Sequence, residues 1–128
     1  MSKTVINTAN APAPIGPYSQ AIVANGVLYT SGQIAIVPSS GALHIDEIHA
    51  ETEQVLDNVK AVVEAAGYAM SDVVKATIFL SNMDNFPQVN EVYAKYFNGD
   101  APPARETVQV ARLPKNVNVE ISVIAVKG

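Results

Sequence analysis

Arg105 and Glu120 are the side chains of this sequence best suited to act on a small anion. Arg105 follows Pro102-Pro103-Ala104, and the fixed φ of proline restricts where the guanidinium can aim. A stiff mount suits bidentate recognition of a carboxylate, whose charge-assisted hydrogen bonds contribute roughly 1.5–3 kcal/mol each. Glu120 lies in a β-branched run. There Val117, Val119, Ile121, Val123 and Ala125 would line one face of a strand, and Asn118, Glu120 and Ser122 the other. The competing readings are solvated charges, the usual fate of any single charge, and a structural ion pair, since Glu106 and Glu120 are both available to Arg105; spacing alone does not separate them.

Other chemistries find less support. The only histidines, His44 and His49, are five residues apart and would leave a helix on different faces, which reads as surface groups near a helix start rather than metal ligands. Ser31 lacks a Gly-x-Ser-x-Gly setting and an activating base, and reads as a strand-end serine that donates a hydrogen bond. Neither a Gly-x-Gly-x-x-Gly stretch nor a P-loop is present, so no nucleotide cofactor is implied. The absence of cysteine removes disulfides, thiolate metal sites and thiol nucleophiles together. Tyr18, behind Gly16-Pro17, either caps a pocket or packs in the core.

These residues must be placed by strands and helices that the pattern predicts. Residues 107–113 and 117–126 are expected to pair as a β-hairpin across Pro114-Lys115-Asn116, with Arg105 just before it. Upstream, 3–7 is a short strand, and 9–17, with three prolines and a glycine, is an extended arm. Asn25-Gly26 between 18–24 and 27–31 is a hairpin signal, because both central residues of a type I′ turn need positive φ. Gly32 suggests a bulge or a close approach of backbone to another group, after which 34–37 resumes the strand. Residues 46–66 read as an amphipathic helix closed by Gly67, through Ile48, Val55, Leu56, Val59, Val62, Val63 and Ala66. Residues 73–80 form a strand with Val74, Ala76, Ile78 and Leu80 on one face. A second helix starts near Asp84 or Asn85, takes Pro87 in its first turn and ends near Asn98-Gly99.

The expected order is β-β-β-α-β-α-β-β, an α/β (α+β) arrangement of one sheet with both helices on one face, within a single domain spanning 1–128. The other sheet face would be bare. With 48% apolar and only 16% charged residues, that face predicts a homo-oligomer. A net charge of −4 and a pI near 5.0 lack the footprint for phosphate backbones, so nucleic acid is not expected as the main partner. No run is long and apolar enough to span a bilayer and the N-terminus has no apolar leader core, so the expectation is a cytoplasmic protein without membrane attachment.

The sequence resembles the Rid (YjgF) family of enamine/imine deaminases through several motifs in order. These are Ile15-Gly-Pro-Tyr18-Ser-Gln20, Thr30-Ser-Gly-Gln33, Asp57-Asn-Val-Lys60, Val89-Asn-Glu-Val-Tyr93, Pro103-Ala-Arg105, Val110-Ala-Arg-Leu-Pro-Lys115 and Val119-Glu-Ile121. The resemblance implies a chorismate-mutase-like fold assembled as a homotrimer with clefts between subunits. It also implies cofactor-free hydrolysis of short 2-imino acids to 2-oxo acids and ammonia. It assigns Arg105 to the substrate carboxylate and Glu120 to the attacking water, with Tyr18, Ser31, Gly32 and Asn90 lining the cleft. Thr107 stands where the family often has cysteine; the main-chain carbonyl there is implied to accept from the imine nitrogen, so a thiol role is lost but the carbonyl is kept. Glu106 replaces a small residue and would compete for Arg105 unless strand alternation points it away. The resemblance leaves two alternatives: a non-catalytic trimer that binds small carboxylates, and a ribonuclease or translation inhibitor.

Overall fold

The computed structural model describes residues 2–127. Its strands are β1 (Thr4–Ile6), β2 (Ala21–Ala24), β3 (Val27–Thr30), β4 (Val73–Leu80), β5 (Ala104–Gln109) and β6 (Val119–Val126), with helices α1 (Ile48–Ala65) and α2 (Phe86–Tyr96). The predicted β-β-β-α-β-α-β-β order is therefore the observed one. The strands form one sheet in the order β1-β2-β3-β6-β4-β5, in which only β4 and β5 pair in parallel. Because β3 and β4 are each antiparallel to β6, they are parallel to one another, and α1 and α2 are successive crossovers running the same way along the sheet. Both helices thus cover one face.

The apolar periodicity closes that layer. Val55, Val59, Val62 and Val63 of α1 and Val89 and Val92 of α2 pack with Ala76, Ile78 and Leu80 of β4 and Val119, Ile121, Val123 and Ala125 of β6. Each fully buried Val, Leu or Ile stabilises the fold by roughly 1.5–3 kcal/mol. α1 ends in a Schellman motif: Gly67 N–H bonds Glu64 O at 2.9 Å and Tyr68 N–H bonds Val63 O at 3.1 Å, with Gly67 at φ +82°. The β2–β3 turn has Asn25 at φ 54° and Gly26 at φ 77°, as its Asn-Gly sequence requires.

Three local expectations are corrected. The hairpin of 107–113 with 117–126 does not form, because β4 lies between β5 and β6. The β4-α2-β5 crossover seats β5 on the far side of β4. The chain then passes back over the end of β4, so β6 pairs with β3 and β4 as a central strand. Residues 34–37 are not a regular strand: only isolated bridges join Gln33 to Ile121 and Ile36 to Leu43. Ile36 N–H turns back to Ile34 O at 2.8 Å, and both of those residues' carbonyls accept from Asn58 of α1 instead of from a strand. In β4, Val73 rather than Val74 joins the buried face, since a register shift between Val73 and Lys75 places Val74 outside the ladder.

The sheet face away from the helices has no covering layer among the described residues. Register places Val5, Ile22, Tyr29, Phe79, Val108, Ile124 and Val126 there, and Val5, Tyr29, Val108 and Val126 are each more than 40% exposed.

Candidate active site

The predicted site residues fall into two groups on opposite faces of the sheet. The first is a cavity of about 410 Å³ whose lining includes Tyr18, Ser31, Gly32, Lys115 and Glu120, with Pro12, Ala13, Ile15, Ile34, Ile36 and Pro114 as apolar walls. Its charged centre is Glu120, which pairs with Phe79 on the uncovered face. The carboxylate is half-buried and has no hydrogen-bond or ion-pair partner among the described residues. Burial pushes its pKa above the usual carboxylate range, since loss of water disfavours the charged form.

Gly32 provides the close approach that its sequence position suggested. A Cβ there would stand 2.7 Å from Cδ of Glu120, inside contact distance, so any side chain at this position would force the carboxylate to move. Ser31 is the hydrogen-bonding serine expected, its Oγ donating to Ser19 O at 2.6 Å. Tyr18 lines the pocket rather than the core, and is about half exposed.

Three buried polar side chains, absent from the sequence-based site, hold the walls of this pocket. Gln20 accepts from Thr8 N–H at 2.7 Å and donates from Nε2 to Thr8 O, Ala11 O and Pro12 O, tying down the proline-rich arm. Asn58 Nδ2 donates to Ile34 O and Ile36 O at 3.0 and 2.9 Å. Glu51 accepts from Asn118 N–H and Asn118 Nδ2, both at 2.7 Å, and from Val119 N–H at 3.1 Å, fixing the two residues before Glu120. None of the three is more than 2% exposed. A signal was available: Glu51 and Asn58 fall on the apolar stripe of α1 with Val55, Val59 and Val62, where an unpaired polar group would be costly.

The second group centres on Arg105 of β5. Its register partner is Ala76, a core residue, so the guanidinium rises on the helix-covered face. There it lies 4.7 Å from the ring centre of Tyr93 and 5.4 Å from that of Phe86, and Nη1 donates to Asn90 Oδ1 at 2.7 Å. Cation–π contacts of this kind contribute about 0.5–2 kcal/mol each. The mount is thus α2 as much as the prolines. Arg105 has no carboxylate partner among the described residues, and Glu106 is turned to the other face, where Lys75 Nζ meets its Oε1 at 3.1 Å. The strand alternation expected for Glu106 is observed. Thr107 shares the Arg105 face; its Oγ1 is buried without a hydrogen-bond partner among the described residues. Burial also raises the pKa of Tyr93, while Arg105 partly offsets this.

The histidines take no part in either group. His44 is exposed, and His49 on α1 meets Glu47 at 2.8 Å and Glu91 at 3.5 Å on the outer surface. Glu47, through that hydrogen bond, raises the His49 pKa.

Within one chain Arg105 and Glu120 cannot grip one small molecule. From Glu120 the sheet passes to Phe79 and then to Val108, three residues beyond Arg105. Two strand spacings and three residue rises separate their backbones by about 14 Å, before the side chains diverge to opposite faces. A four-carbon acid does not bridge that distance around a sheet.

A family model described as Endoribonuclease L-PSP matches residues 8–127. A RutC family protein of Pyrococcus horikoshii is 54% identical over 125 residues, covering 98% of each chain. A Salmonella typhimurium protein described as 2-iminobutanoate/2-iminopropanoate deaminase is 46% identical over 129 residues, covering 99% of each. Among solved structures, the Rid family protein YyfA of Yersinia pestis aligns with a TM-score of 0.96 at 53% identity, covering 98% of this chain and 100% of its own. TdcF of E. coli with bound serine aligns with a TM-score of 0.93 at 41% identity, covering 98% and 99%. With motifs, fold and matches in agreement over nearly its whole length, the chain belongs to the Endoribonuclease L-PSP family, the group that contains the Rid proteins.

Proposed function

We propose that this chain hydrolyses 2-iminobutanoate and 2-iminopropanoate, released from dehydratase enamines in the cytoplasm, to 2-oxo acids and ammonia. The observation that carries the reading is a pair of complementary charges without an ion-pair partner among the described residues: a cation braced by Asn90, Tyr93 and Phe86 on one face and a half-buried carboxylate on the other. A closed trimer, its subunits joined through the uncovered sheet face, would set the Arg105 side of one subunit against the Glu120 pocket of the next. Arg105 then holds the substrate carboxylate, and the Thr107 carbonyl accepts from the imine N–H. Glu120 orients a water and takes its proton as the oxygen attacks the iminium carbon. The same carboxyl returns the proton to nitrogen, the C–N bond of the carbinolamine breaks, and the C=O forms as its hydroxyl proton leaves. Ammonia departs as ammonium.

Little catalytic power is needed, because an iminium carbon is already attacked by water; proximity and a positioned base, worth about 10²–10⁴-fold, suffice. A raised pKa makes Glu120 the stronger base wherever it remains ionised. Added to a threonine dehydratase reaction, the protein should speed the appearance of 2-oxobutanoate; an unchanged time course with active dehydratase would refute hydrolysis. The serine-bound TdcF structure favours a second reading, a carboxylate-binding protein without turnover. Calorimetric binding of 2-oxobutanoate together with an unchanged time course would select it.

A further inference from the structure

We propose that Lys115 is the capture residue of the Glu120 pocket, a cation that draws anionic 2-imino and 2-oxo acids inward and disfavours uncharged analogues. Its reaction context rests on the proposed imine hydrolysis; its placement rests on geometry alone. Lys115 lines the same cavity as Glu120 and is, among the described residues, the only cationic side chain in that lining. Its backbone is at φ 54°, ψ 21°, and it is the only described residue other than asparagine or glycine with positive φ. Lysine gains nothing locally from that conformation, which glycine or asparagine adopts more readily.

The turn around it is held deliberately. Asn116 N–H bonds Leu113 O at 3.1 Å, Val117 N–H bonds Pro114 O at 3.2 Å, and Arg112 Nε donates to Asn116 Oδ1 at 2.7 Å. Those contacts explain the turn but not the lysine, whose side chain has no ion pair or hydrogen bond among the described residues. Backbone strain without a structural return is characteristic of residues retained for function. The chain carries a net charge of −4, which repels an incoming anion at long range, and a cation at the mouth of a low-dielectric cleft reverses that field locally. Lys115 also lies beyond 4 Å from the Glu120 carboxylate, so it supplies attraction without occupying the base.

The test compares wild type, Lys115→Met and Lys115→Gly in the dehydratase-coupled assay across a salt series. At low salt, Lys115→Met should lower kcat/KM about 10-fold with kcat unchanged, and the difference should vanish as salt screens the charge. Lys115→Gly should show the same kinetic loss with an equal or higher melting temperature, since glycine fits the positive φ. Equal kcat/KM and equal salt slopes in all three proteins would overturn the proposal, whatever happens to stability. If the wild type does not accelerate the reaction, hydrolysis falls. Calorimetry with 2-oxobutanoate then decides: weaker low-salt binding by Lys115→Met supports capture, and unchanged affinity overturns it.

Discussion

The two charged groups of this protein are built in opposite ways. Arg105 sits on an edge strand and is braced from outside by one helix, through two rings and one amide. Glu120 sits on a central strand and is surrounded by irregular chain: the arm, the 31–36 segment and the 114–116 turn. The first presents, at an edge strand, a guanidinium with one nitrogen held by Asn90 and no carboxylate partner among the described residues. The second half-buries a carboxylate and leaves it without an ion-pair partner among the described residues. Strand order sets the two charges on opposite faces of the sheet, two strands apart, so one chain does not bring them together; under the proposed hydrolysis the work is divided between subunits.

The largest effect tests that division directly. Arg105→Ala and Glu120→Gln should each lower kcat/KM by about 10²–10⁴-fold. Unfolded together in equal amounts and refolded, the two inactive variants should recover up to about a quarter of wild-type activity. In a random ring, one cleft in four pairs an intact arginine from one subunit with an intact glutamate from the next. Recovery no greater than the sum of the separate variants would place both groups in one subunit's cleft and break the comparison. Gly32→Ala sharpens the Glu120 side alone. Its Cβ displaces the carboxylate, and a shift of about 1 Å is expected to cost about 10²-fold in kcat with little change in KM, because the Arg105 side is untouched. An equal rise in KM would show that the pocket wall, rather than the carboxylate, had moved.

Legibility in the sequence followed the range of the interaction. Turn chemistry at Asn25-Gly26, the helix stop at Gly67 and the glycine at 32 each depend on a few neighbouring residues or one backbone conformation, and all were readable. The two charges were readable as types, and motif order joined them to a family. Pairing was not readable: two β-branched runs separated by Pro114-Lys115-Asn116 look like a hairpin, yet the crossover through α2 had already committed β5 to the far side of β4. That error mattered for the site, because a hairpin would have left Arg105 and Glu120 one strand apart instead of two. The supports at Gln20, Glu51 and Asn58 were missed because the backbone groups they hold lie 8 to 12 residues away for Gln20 and 22 to 68 away for the other two, which no local pattern displays.

The smallest expected effect concerns stability and separates the two halves by sign. Burial raises the folded-state pKa of Glu120 above its unfolded value, so the folded protein binds this proton more tightly than the unfolded chain. Its ionised form is therefore the penalised one: stability falls as pH rises from the unfolded carboxylate range through the raised folded value, and stays lower beyond it. Glu120→Gln removes the penalty. It should melt higher than wild type at pH 7 and lose that advantage as the pH falls below the unfolded carboxylate range. Arg105→Ala, which forfeits its contacts with Asn90, Tyr93 and Phe86, should melt lower at every pH in the same series. If Glu120→Gln were the less stable protein at neutral pH, the carboxylate would be held by favourable partners in the assembly. It would then be a structural group rather than a base held ready.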